Sequence, residues 1–301
     1  MNQLFYRTIY NSQINWILRN INKTVLPLLP KKINLPPSGI LRIKNHVGKV
    51  LKIRTNQTNY LTKVIYWEGG YENFEYTQIF LKLIKKVSTF YDVGANIGYY
   101  SLLAAMENEN IKVVGFEPAQ GPLHYFNQNV SINKFKNIKV ESIALSHREG
   151  EIEFYEIRNK KYKYLKYNLA GESNAGSLTH GRNFEINKVK TSTLDNYVSR
   201  NNEANIDLIK IDTEGTENLI LEKSVYVLKE MKPIIICETL FNVIEKELEE
   251  IFLSYGYEFY YPTKKGLEKH TTIVRQFDNG NSNCFFVHPE RLHLIKEFIV
   301  S

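Results

Sequence analysis

The stretch Ser88-Thr-Phe-Tyr-Asp-Val-Gly-Ala-Asn-Ile-Gly-Tyr-Tyr-Ser101 constrains the fold more than any other, because it demands a strand, a tight turn and a helix in immediate succession. Phe90, Tyr91 and Val93 form an aromatic and β-branched run, Gly94 and Gly98 permit the turn, and Tyr99 to Met106 continues at helical period. Such a turn aims backbone N–H groups and the positive end of a helix at whatever lies above the strand. The spacing Asp92-x-Gly94-x-Asn96-x-Gly98 differs from the G-x-G-x-x-G of nicotinamide enzymes, and no phosphate-binding Lys-Ser/Thr follows it. A nucleotide phosphate is therefore disfavoured. Asn96 occupies a position that calls for positive φ, which Asn tolerates better than other side chains. The carboxylate of Asp92 suits a ligand that carries an ammonium group or hydroxyls.

A second short strand, Ile111-Lys-Val-Val-Gly-Phe-Glu117, ends in an acidic residue nineteen positions after Gly98, where a carboxylate can grip ribose hydroxyls. A solvated glutamate is the plainer account, but the apolar run before it favours a strand end. Ile206-Asp-Leu-Ile-Lys-Ile-Asp212 reads as a strand that opens a helix through Thr213-Glu-Gly215. In a doubly wound sheet it lies beside the first strand across the topological switch point, which brings Asp212 near the reactive end of the ligand. Capping of the helix amides would by itself place an acidic residue here, for Glu214 as well as Asp212. Lys232-Pro-Ile-Ile-Ile-Cys-Glu238 is a further strand with a terminal carboxylate.

Asp92-Val-Gly-Ala-Asn-Ile-Gly-Tyr-Tyr-Ser101, Gly115-Phe-Glu-Pro118, Ala144-Leu-Ser146 and Ile206-Asp-Leu-Ile-Lys-Ile-Asp-Thr-Glu-Gly215 resemble, in order and spacing, the motifs of FkbM-type methyltransferases over roughly residues 66 to 260. One departure is Asp-Thr-Glu-Gly where that family more usually has Asp-Val-Glu-Gly, which leaves both carboxylates in place. The resemblance implies a Rossmann-like class I methyltransferase, a seven-stranded, mostly parallel α/β sheet with helices on both faces. It implies S-adenosylmethionine as cofactor, held by Asp92, Gly94, Ala95, Asn96, Gly98 and Tyr99, by Glu117 and Pro118, by backbone at Ala144, and by Asp212. Glu72 recurs in the corresponding element of the family and is either a pocket residue or a helix-start carboxylate.

Charge is distributed unevenly. The net charge is +7, yet residues 1 to 89 hold fourteen Lys and Arg against three acidic residues, so the remainder is net negative. Residues 1–38 read as a basic amphipathic helix, with Arg7, Arg19 and Lys23 among Leu4, Phe5, Ile9, Ile14, Trp16, Ile17, Leu18 and Ile21, followed by a proline-rich connector. The helix either packs its apolar side on the enzyme or on a second subunit of a homo-oligomer, or rests on an anionic membrane surface. Residues 39–70 read as a small β meander that includes Tyr60 to Tyr66, and 71–301 as the methyltransferase domain with a β insertion at about 147–193. The Lys/Tyr-rich run from Lys160 to Tyr167 reads either as an aromatic-interleaved basic patch that stacks on and neutralises a nucleic acid or a sugar chain, or as edge-strand lysines that block aggregation; the second is favoured, and no nucleic acid is expected. Two single cysteines, Cys237 and Cys284, argue against a disulfide framework. With no signal segment or membrane span, the chain reads as cytoplasmic, with peripheral membrane contact through its first helix as the variant.

Methyl transfer from a sulfonium is an in-line displacement in which the protein mainly aligns the acceptor. A hydroxyl acceptor must lose a proton, and Asp212, Glu214, Glu238 and His180 are the available bases. Ser177 and His180 fall near the point where FkbM-like sequences carry a Ser-Ser-Leu-type loop, and that resemblance implies substrate-side residues. The expected activity is O-methylation of a sugar or another small hydroxylated acceptor, a glycan included. The competing reading is a non-catalytic Rossmann-like module that binds a nucleoside or an anionic partner through its basic amino-terminal region. No His-x-x-x-His or Cys-x-x-Cys occurs, which argues against zinc hydrolysis; no metal ligand is assigned, and the clustered carboxylates leave a divalent ion open.

Overall fold

The structure, a computed structural model, describes residues 3–25, 34–170 and 184–300. A helical hairpin, α1 (Gln3–Ile9) and α2 (Ser12–Val25), precedes an antiparallel ribbon of β1 (Gly39–Lys44) and β2 (Val50–Thr55) and then α3 (Tyr60–Trp67). The meander expected over 39–70 is thus a two-stranded ribbon followed by a helix, because Tyr60 to Tyr66 does not extend. Asn59 caps α3, its side-chain oxygen accepting the Thr62 amide at 2.9 Å, and Thr62 and Ile65 are buried at helical spacing. Cap and burial override a β-prone composition.

There follow α4 (Thr77–Leu83), β3 (Thr89–Val93), α5 (Tyr99–Glu107), β4 (Lys112–Phe116), α6 (Gln120–Asn133) and β5 (Ile138–Glu141). Next, β6 (Ala144–Leu145), β7 (Gly150–Ile157) and β8 (Phe184–Ser192) form a separate sheet in the order β6-β8-β7. The chain returns to the main sheet through α7 (Leu194–Arg200), β9 (Leu208–Ile211), α8 (Glu217–Glu222), β10 (Ile234–Glu238) and α9 (Glu245–Ser254). It closes with β11 (Glu258–Pro262), β12 (Leu267–His270), β13 (Asn283–Val287), α10 (Leu292–Ile295) and β14 (Ile299–Val300).

The main sheet runs β14-β12-β11-β13-β10-β9-β3-β4-β5. Its strands β5, β4, β3, β9 and β10 are parallel, and β13 inserts antiparallel between β10 and β11. The sheet therefore has nine strands among the described residues, where seven are expected. The two additions, β12 and β14, cover the outer edge of β11, which would otherwise present unpaired backbone groups.

Side chains alternate between two cores, one on each face of the sheet. Phe90, Leu208 and Ile236 join the core under α4 and α5, whereas Tyr91, Ile209 and Ile235 join that under α7, α8 and α9. By the same alternation Asp92, Lys210 and Glu238 fall on the α5 face, and Asp92 is the register partner of Lys210. Cys237 and Cys284 are register partners too, buried as free thiols in the ladder.

Candidate active site

The turn after β3 is built for close approach. Gly94 has φ +72°, and a Cβ placed on it would stand 1.9 Å from the Asp212 carbonyl oxygen. The amides of Gly94 and Ala95 both donate to the Phe116 carbonyl at 3.0 Å, which fastens the turn to the end of β4. Asn96 takes the left-handed conformation at φ +51°, and its side-chain oxygen accepts from Asn59 at 3.2 Å. Gly98, also left-handed, begins α5 against the ring of Phe126.

Glu117 locks this turn to the next. Its two carboxylate oxygens accept the Asn96 amide at 2.7 Å and the Ala119 amide at 2.8 Å. Burial pushes its carboxyl up to about 7, against the pull of those two amides. A cavity of about 460 Å³ opens beside it. Gly94, Asn96, Glu117, Pro118, Ala144 and Asp212 line the cavity, and Glu214 does as well. Its apolar wall comes from Ile143, Pro122 and, on the inserted sheet, Ile152 and Phe154.

The other expected cofactor residues lie beneath the cavity and shape it. Asp92 is buried, and its Oδ2 accepts the Ser101 amide at 3.0 Å and the Ser101 hydroxyl at 2.7 Å, tying β3 to the first turn of α5. Ala95 and Gly98 hold the turn, and Tyr99 points into the core, donating to the Tyr71 carbonyl at 2.9 Å. Of the expected bases, Asp212 and Glu214 reach the cavity, Glu238 sits deeper at the end of β10, and His180 and Ser177 fall outside the described residues.

Three residues missed by the sequence reading complete the site. Lys210 is buried, with Nζ 3.0 Å from Asp212 Oδ2 and 3.9 Å from Asp92 Oδ1, above the ring of Tyr100. Burial pulls its ammonium down, but Asp212 and Asp92 outweigh that and hold it above its ordinary range. The anomaly of a lysine inside the apolar run Leu208-Ile-Lys-Ile211 is the signal that marks it. Glu217 accepts the Thr213 amide at 2.6 Å and the Gly215 amide at 3.1 Å, so it, and not Glu214, holds the amides of the turn after β9. Glu75 is the third. Its backbone is left-handed at φ +45°, and its Oε2 accepts the Tyr100 hydroxyl at 3.1 Å. Glu72 lies in the first turn of the short helix Tyr71–Asn73, 3.0 Å from His46, and lines a cavity beside Glu75.

The carboxylates crowd one another around the single lysine. Glu75 is pushed up to about 7 by loss of solvent on its protein side and then by Asp212, opposed by Lys210 and Tyr100. Glu238 is driven well above the carboxylate range by burial and then by Asp212, Glu214 and Glu217, with Lys210 opposing. Its Oε2 has no hydrogen-bond partner. Among the described residues, no cluster of three His, Cys, Asp or Glu is arranged to hold a metal ion.

The strand order, the glycine turn after β3 and the acidic residue closing β4 define a Rossmann-like class I methyltransferase. The FkbM methyltransferase domain model matches residues 92–259, more than half of the sequence, and the chain belongs to that family. No curated protein matches it. Solved structures similar to it include a methyltransferase FkbM from Methylobacillus flagellatus, 13% identical with TM-score 0.45 over 76% of this chain and 48% of that one. Another is a SAM-dependent O-methyltransferase from Thermotoga maritima, 11% identical with TM-score 0.40 over 82% of this chain and 77% of that one. The chain spans about half the length of the first of these.

The cofactor is S-adenosylmethionine, and the residues present fit it. An apolar slot closed by Phe154 suits an adenine ring, Glu117 offers lone pairs beside that slot, and the close packing of Gly94 against Asp212 leaves backbone, not side chain, at the floor. Asp212 and Glu214, which line the cavity, supply the carboxylates that a cationic sulfonium and an ammonium group require.

Proposed function

We propose that the protein transfers a methyl group from S-adenosylmethionine to a hydroxyl of a sugar or another small hydroxylated acceptor. The observation that carries this reading is a second cavity, of about 890 Å³, on the α4 side of the carboxylate cluster. Its lining includes Asn73, Gln78, Asn281, Ser282 and Asn283, with Glu75 and Tyr76, alongside charged residues such as Glu72, Lys82 and Lys264. Amides and hydroxyls that both donate and accept are the groups that recognise a polyhydroxylated molecule.

Glu75 joins the two cavities electrostatically, because it lines the second and its ionisation responds to Asp212, which lines the first. S-adenosylmethionine supplies the activated methyl carbon; the chain's own task is to hold the acceptor oxygen in line and remove its proton. A carboxyl that titrates near 7 suits that task, being about half ionised at neutral pH and basic enough to draw a proton from a hydroxyl as it attacks. We assign this role to Glu75, with Lys210 fixing the neighbouring Asp212 carboxylate.

The test is methyl transfer from labelled cofactor to a panel of sugars, glycosides and phenols, with Asn283→Ala and Glu75→Gln alongside. Transfer to sugar hydroxyls, with KM raised in the first variant and kcat lowered in the second, supports the reading. Transfer confined to nitrogen or carbon acceptors overturns it.

A further inference from the structure

The amino-terminal hairpin is inverted relative to an ordinary surface helix. Its polar side faces the protein. Asn15 accepts the Ser38 amide at 2.7 Å and donates to the Pro36 carbonyl at 3.2 Å. Arg19, only 3% exposed, donates to the Ser38 carbonyl at 3.3 Å and the Ile40 carbonyl at 3.1 Å, and stacks on Tyr66. The apolar stripe of α2 consequently faces outward: Ile14, Ile17, Leu18, Ile21 and Val25 recur at spacings of three and four, and Ile17 and Ile21 are 51% and 56% exposed. Trp16 and, on α1, Phe5 extend this surface at 58% and 53%. Burying such residues against water-free surroundings is favourable, and the protein leaves that gain unrealised.

A second observation fixes the chemistry of the partner. The Lys/Tyr run after β7 packs on this hairpin: Tyr162 meets Tyr6 and Tyr10 edge-on at 5.2 and 5.5 Å, and the Tyr164 hydroxyl donates to the Tyr6 carbonyl at 3.1 Å. Tyr162 and Tyr164 are thereby used internally, while Lys160, Lys161, Lys163 and Lys166 are exposed, as are Arg7 and Lys23 of the hairpin. Neither the first 67 residues nor residues 157–170 contain a single Asp or Glu. The surface is aliphatic and cationic, with no carboxylate of its own.

We propose that this face docks the protein on an anionic lipid bilayer, with α2 lying in the headgroup plane, its aliphatic stripe in the acyl boundary and the lysines on the acidic headgroups. No helix among the described residues is long and apolar enough to cross a membrane, so the attachment is peripheral. A second copy of the chain meeting this face by two-fold symmetry would set cations against cations. Nucleic acid would find two exposed rings, Phe5 on α1 and Trp16 on α2, beside an aliphatic stripe, where stacking of successive bases needs a row of aromatic rings.

The experiment is co-sedimentation of the full chain with vesicles of phosphatidylcholine alone and of phosphatidylcholine with phosphatidylserine, at low and high salt. Ile17→Asp/Ile21→Asp and Lys160→Glu/Lys161→Glu/Lys163→Glu are tested beside it, and retained calorimetric binding of S-adenosylmethionine shows that both fold. Binding to the anionic vesicles that weakens with salt and falls on the order of 100-fold in each variant is the expected result. Equal binding to neutral and anionic vesicles, no binding, or binding that survives both variants overturns it. So does light scattering that shows a dimer dissociated by the isoleucine variant, or capture of RNA in place of vesicles.

Discussion

The Asp212 carbonyl oxygen lies 1.9 Å from where a Cβ on Gly94 would stand, so the turn after β3 and the end of β9 meet with no room for a side chain. Gly94 also holds φ +72°, a conformation costly for any L-residue. Gly94→Ala is therefore expected to lose more than about 2 kcal/mol of stability. Urea denaturation would show a lower midpoint at unchanged slope, and calorimetry a weaker hold on S-adenosylmethionine. An unshifted midpoint would mean that the two strand ends can separate freely.

Lys210 is a buried cation among carboxylates, 3.0 Å from Asp212 and 3.9 Å from a buried Asp92. Removing one partner of a buried pair leaves the other as an uncompensated charge, so Lys210→Met is expected to cost about 3 kcal/mol or more. Asp92→Asn in the same background removes the stranded charge and recovers part of the loss. A double-mutant cycle measures this; strictly additive effects would show that the pair is not coupled.

How far the site was legible from sequence varies with the kind of contact involved. Gly94, Asn96, Glu117, Ala144 and Asp212 are visible because backbone conformation and strand ends leave marks at fixed spacing. Asp92 is equally visible as a motif residue, yet its carboxylate is spent on Ser101 beneath the cavity, and spacing cannot reveal which way a strand-end side chain turns. Glu75 carries no local mark, since its role comes from packing against α5 and from Asp212 far along the chain. The sequence reads this hairpin as an amphipathic helix, but the Ser38 amide that seats Asn15 and the Ser38 and Ile40 carbonyls that seat Arg19 are distant in sequence, so its inside-out orientation appears only in the fold.

Glu75 gives the reaction a pH dependence. Its carboxyl titrates near 7, and as a base it must be ionised, so kcat/KM for the acceptor is expected to rise with pH through a limb near that value and then level off. Glu75→Gln should lower the plateau and abolish the limb. A limb that persists unchanged in the variant assigns the proton transfer to another group.

Glu117 links pH to stability. Its folded carboxyl lies at about 7, raised from 4.5 chiefly by burial. Because the unfolded chain releases this proton first, the neutral form stabilises the fold fully below pH 4.5, and that contribution is lost as pH rises towards 7. The loss is about 3 kcal/mol. Glu117→Gln cannot titrate, and its NH₂ group must confront either the Asn96 or the Ala119 amide, which both donate to the wild-type carboxylate. The stability difference between wild type and variant, from urea unfolding at a series of pH values, should therefore shrink by that amount between pH 4.5 and about 7 and stay constant above it. The variant should also bind S-adenosylmethionine about tenfold or more weakly, since an amide facing an amide distorts the turn that forms the cavity wall. A difference independent of pH would place Glu117 among ordinary ionised carboxylates.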